Sequence, residues 1–113
     1  MSERTEARLD ELRATAAEFA AAYAEQKYLE EFRKSKLAIL MKKYESMGNC
    51  STAAAQDREA RADQEYITLL EGLKVATEKS ERLRWELEVS KMGVAIWQTK
   101  QANERAERRV YGA

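Results

Sequence analysis

Residues 66–97 read YITLLEGLKVATEKSERLRWELEVSKMGVAIW, and the spacing of their apolar side chains decides the fold. Alternating steps of three and four pick out Tyr66, Leu69, Leu73, Ala76, Ser80, Leu83, Leu87, Ser90, Val94 and Trp97. An α-helix turns about 100° per residue, so this set makes one stripe along one face. Trp85, Val89, Met92 and Ile96 follow the same spacing but fall on the opposite face. A single neighbouring helix covers one face only, so the second stripe calls for a second partner.

Outward from this stretch the pattern stays helical. Leu9, Leu12, Ala16, Phe19 and Tyr23 form a heptad near the start of the chain, and Leu37, Leu40, Tyr44 and Met47 resume it. Gln26, Glu30 and Arg33 take the inward positions between them, while the apolar residues move to Tyr28, Leu29 and Phe32, so the stripe is expected to swing around the helix there. Ser2 is placed to cap the first turn, with Glu3 and Glu6 at the positive end of the helix dipole. The stop signal is MGNCST, residues 47–52: Gly48 suits a left-handed C-cap, and Ser51 or Thr52 can cap the next helix. Asp63 offers a further N-cap.

These signals predict one helical domain over 1–113: a helix over 3–47, a loop at 48–51, a short helix over 52–60 and a long helix over 63–110. At about 1.5 Å per residue the last is roughly 70 Å long. Two long helices with a short connection fold back as an antiparallel αα-hairpin, so the expected class is all-α and coiled-coil-like, assembling into an oligomer.

Composition agrees. The 113 residues include no Pro and four Gly, and charged residues make up 35% of them, as in long solvated helices. Burying Trp85, Val89, Met92 and Ile96 is worth about 1.5–3 kcal/mol each, so leaving them in water forfeits roughly 6–12 kcal/mol. That rivals the whole stability of a small domain, and self-association is the economical remedy.

Catalysis finds little support. The chain has no His, the commonest acid/base group and metal ligand. No Gly-rich loop precedes a helix, so no nucleotide fingerprint exists. Carboxylates such as Glu30 and Glu78 lie four residues before Lys34 and Arg82, the spacing of solvated ion pairs rather than of a metal site. The expectation is a non-enzyme with no catalytic residue, metal, cofactor or small-molecule substrate. The lone Cys50 reads as an exposed thiol in the loop, in a reducing compartment. No apolar run approaches the roughly 20 residues of a membrane span, and MSERTEARLDELR lacks the charge order of a signal peptide, so a cytoplasmic protein is expected.

The charge is balanced at 20 acids and 20 bases, yet it is segregated. Residues 1–31 carry eight acids and four bases, whereas 32–50 carry one acid and five bases. Those five, Arg33, Lys34, Lys36, Lys42 and Lys43, are flanked by Tyr28, Phe32 and Tyr44, a mixture that tracks phosphates while rings stack on bases. Arg82, Arg84 and Lys91 with Trp85, and Arg105, Arg108 and Arg109 with Tyr111, could extend it. The plainer alternative is that such charges only solvate a helix.

The order of parts resembles a known family. A long helix runs into the basic segment KLAILMKKYESMG, a short loop and helix follow, and EYITLLEGLKVA then opens a long helix continuing through RLRWELEVSKMGVAIWQTKQANERAE. Over residues 20–107 this resembles the small helical recombination mediators of tailed phages, the UvsY type. The resemblance implies an oligomeric ring that binds single-stranded DNA and helps load a RecA-like recombinase onto strands covered by single-strand-binding protein. By position it implies DNA contacts at Lys42 and Lys43 and an oligomer-forming helix over 82–101, in the cytoplasm of a host cell. The chain departs from the family in being shorter and nearly neutral.

The leading expectation is therefore an oligomeric single-stranded-DNA-binding recombination mediator. Lys42 and Lys43, supported by Arg33, Lys34 and Lys36, would meet phosphates, and Trp85, Val89, Met92 and Ile96 would join subunits. The rival is a structural or adaptor coiled coil that binds only protein, for example in phage morphogenesis or regulation.

Overall fold

A computed structural model describes residues 3–111. Among these it contains three helices and no strand: α1 (Glu3–Ser46), α2 (Ala53–Ala62) and α3 (Gln64–Val110). The fold is an antiparallel αα-hairpin of two long helices with a short helix between them. The Ser2 cap lies outside the described residues. The chain divides into two compact units, one of residues 19–81 and one joining the residues up to 18 with those from 82 onward.

In the 19–81 unit the turn chemistry works as the sequence predicts. Gly48 takes φ +77°, a left-handed conformation that a side chain resists, and its N–H donates to the Glu45 carbonyl at 3.1 Å. Thr52, rather than Ser51, caps α2: its Oγ1 accepts from the Ala55 N–H at 3.1 Å. The loop between them folds inward. Cys50, expected to be exposed, is buried, and its carbonyl accepts from the Gln56 carboxamide at 3.2 Å.

The core of this unit is Leu40, Ala60 and Tyr66, with Leu37 and Met41 packed against it, so each helix contributes one buried residue. Asp63 joins α2 to α3. Its own N–H closes α2 on the Ala60 carbonyl at 3.2 Å, while its carboxylate accepts the N–H of Glu65 at 2.8 Å and the Tyr44 hydroxyl at 2.7 Å. These bonds hold the Asp63 carboxyl below the usual aspartate range, the Tyr44 bond first and the Glu65 N–H second, and the same partnership raises the Tyr44 hydroxyl.

The inward face of α1 keeps heptad spacing but not all of the expected members. Thr15 and Ala22 turn inward where Ala16 and Tyr23 were expected, and Met47 is exposed. The stripe steps three then four from Leu12, instead of four then three, which sets small side chains against α3 and leaves the long Tyr23 on the flank. There its ring meets Phe19 at 5.8 Å, and the Lys27 ammonium lies 5.2 Å from its centroid. The expected swing does not occur: Leu29 is half-buried, but Tyr28 and Phe32 stay outside. Gln26 and Glu30 instead continue the stripe, joined by a 3.1 Å bond from the Gln26 amide to the Glu30 carboxylate, while Arg33 is exposed.

The other unit is thinner. Leu9 and Leu12 on α1 and Leu87 and Val94 on α3 are only half-buried, and Leu83 is its sole buried residue among those described. A cleft of about 340 Å³ opens beside Leu9, Val94 and Trp97, and a neighbouring one brings Leu12 near Ser90 and Gly93. Higher numbers on α1 thus meet lower numbers on α3, as antiparallel pairing requires.

Candidate functional site

Two surfaces hold the residues singled out from the sequence. The first is the outer face of α1 within the 19–81 unit. Tyr28, Phe32 and Ile39 are separated by four and seven residues, which places them within about 40° of one another around the helix, and Lys42, three residues on, lies at the edge of that sector. The rings of Tyr28 and Phe32 are stacked, 5.9 Å apart and 8° from parallel, and they are 60% and 36% exposed. They are surface rings, although their sequence spacing also suited a core. Ile39 is exposed in the same line, a position that only its distance from Tyr28 along the helix could have revealed.

The five cations of the basic block do not act as one group. The Lys34 ammonium pairs with Glu31 at 3.2 Å, Lys36 with Glu65 at 3.3 Å and Lys43 with Asp63 at 3.5 Å. Lys42 forms no ion pair among the described residues, and Arg33 acts only at longer range on the Glu30 carboxyl, which the Gln26 amide first and Lys27 next hold below the usual glutamate range. Around the helix, Lys42 and Lys43 flank the ring-bearing sector on opposite sides, and Lys36 lies on the Lys43 side. Arg33 and Lys34 point about 100–120° away from it. The structure therefore sets Lys42 on the same side of α1 as the rings, about 15 Å further along the helix than Phe32, ties Lys43 to Asp63, and leaves Arg33 and Lys34 elsewhere.

The second surface is the stripe on α3. Trp85, Val89, Met92 and Ile96 are 59%, 65%, 61% and 57% exposed, and the Arg84 guanidinium lies 5.0 Å from the centroid of the Trp85 ring. Leu83 and Leu87 face the opposite way and are buried or half-buried. Further along α3, Lys91 pairs with Glu88 at 3.5 Å, and the Arg105 guanidinium donates to its own helix at the Gln101 carbonyl.

Among the described residues no group of His, Cys, Asp and Glu is arranged to hold a metal, and no helix is long and apolar enough to cross a membrane. Compared with known proteins, the chain matches no family model, no curated protein and no solved structure. Residue chemistry and geometry alone carry the functional reading.

Proposed function

We propose that this protein is a non-enzymatic, oligomeric single-stranded-DNA-binding accessory protein of the recombination-mediator kind, helping a RecA-like recombinase load onto strands held by single-strand-binding protein. The observation that carries the reading is the exposed, stacked pair Tyr28 and Phe32 in line with the unpaired Lys42. Rings presented to solvent accept bases at about 1–3 kcal/mol per stacked base, and an unpaired lysine releases counterions from a phosphate. Lys43 contributes less than Lys42, because Asp63 already holds it. Repeating this face around an assembly raises a modest site to useful avidity. Such a protein needs no reaction centre, because it acts by organising the strand, and its place of action is the cytoplasm of the host cell.

Anisotropy titration of a labelled oligothymidine against salt tests this reading. Affinity is expected to fall steeply with salt, Tyr28→Ala with Phe32→Ala to weaken binding at every salt, and Lys42→Ala to reduce the log–log slope by about one. No binding at low salt removes the DNA reading. It would favour an adaptor that binds only protein, a role supported by the three cations of the basic block already neutralised within the chain.

A further inference from the structure

Burial is distributed unevenly along this chain. Among the described residues Ala22, Leu40, Cys50, Ala60, Tyr66 and Ser80 are buried within 19–81, whereas Leu83 alone is buried in the other unit. That weakly cored unit also carries the four-residue stripe on α3. Its steps of four, three and four place Trp85 and Met92 at d-type and Val89 and Ile96 at a-type heptad positions.

The geometry points to a second copy of this chain as the occupant of the stripe, with the two α3 helices antiparallel about a two-fold axis between Val89 and Met92. This inference rests on the assembly half of the proposed function and adds its symmetry and register. In that register the stripe is self-complementary: Trp85 packs on Ile96 of the second copy and Val89 on Met92 of the second copy, and each contact is repeated by symmetry. Every layer then sets an a-type residue against a d-type one. Parallel pairing instead places Trp85 against Trp85 and brings Glu81 beside Glu86 of the other copy, a like-charge contact. The antiparallel register sets Glu86 beside Gly93 and Glu88 beside Ala95, small residues without charge. Arg82 meets Thr99 at each end of the seam. Lys79 and Lys100 approach only beyond that point, outside the apolar layers.

Cross-linking decides the register. In a Cys50→Ser background, Val89→Cys and an affinity-tagged Met92→Cys are mixed and oxidised, and each variant is oxidised alone. The antiparallel seam sets positions 89 and 92 in one layer but offsets 89 from 89 by about 4.5 Å along the axis, too far for easy bridging. The mixture is expected to give at least tenfold more disulfide than either variant alone. Equal or greater cross-linking of Val89→Cys with itself overturns the inference.

Sedimentation supplies the second arm. The wild type is expected at twice 13.0 kDa or an even multiple of it, and Trp85→Glu at 13.0 kDa with its helix content retained by circular dichroism. An odd multiple, or an unchanged mass for Trp85→Glu, overturns the seam while leaving self-association standing. A wild-type monomer at tens of micromolar overturns both the seam and the assembly half of the proposed function.

Discussion

The 19–81 unit and the unit formed by the two chain ends use the same long helices with different results. The first adds α2, and three helices close around Leu40, Ala60 and Tyr66. Among the described residues the second has two helices, a single buried side chain, Leu83, and an open cleft beside Trp97. Two antiparallel helices can hide one stripe each. A third element makes a core, and where the chain supplies none, apolar surface stays in water.

Mutations can test this contrast. The largest effect is expected in the three-helix core: Leu40 is 1% exposed, and Leu40→Ala should cost about 2–5 kcal/mol by urea unfolding. Leu12→Ala, in the other unit, should cost less than half as much, because its site is already half in solvent. Equal losses would erase the distinction between the units. Gly48→Ala should cost about 1–2 kcal/mol from backbone strain alone, since an added Cβ meets nothing within 4 Å.

Acid should act through Asp63 in the three-helix unit. Its folded pKa is lowered, so its stabilisation is complete above the ordinary aspartate value near 4 and is lost as pH falls through the depressed folded value. Asp63→Asn is expected to flatten that acid-side loss in thermal melts between pH 5 and pH 2; an unchanged profile would assign the acid sensitivity to other carboxylates. The smallest effect belongs to Lys34→Ala, which removes an exposed ion pair to Glu31 worth under about 1 kcal/mol.

Local chemistry made much of this legible in the sequence. The α3 stripe follows from spacing alone, Gly48 from backbone preference, and a cap at Ser51 or Thr52 from side-chain chemistry, so the hairpin and its turn were readable. The register of α1 was not. Choosing Thr15 over Ala16 and Ala22 over Tyr23 depends on how closely α3 approaches, which no local pattern encodes. Cys50 was misread because its burial comes from a loop folding onto α2. The basic block was overestimated as a unit, because the carboxylates that hold Lys36 and Lys43, Glu65 and Asp63, are distant in sequence.

One residue separates α2 from α3, and the sequence around it, ARADQEY, contains neither Gly nor Pro. The bend therefore exists because Asp63 takes an extended ψ of 137° and its side chain engages the Tyr44 hydroxyl and the Glu65 N–H. Alanine, the strongest helix former, would remove both bonds and favour continuation through the joint. Asp63→Ala thus biases α2 and α3 toward one continuous helix, which would draw Ala60 and Tyr66 out of their shared packing on Leu40. The carboxylate sets the angle at which the short helix meets the long one.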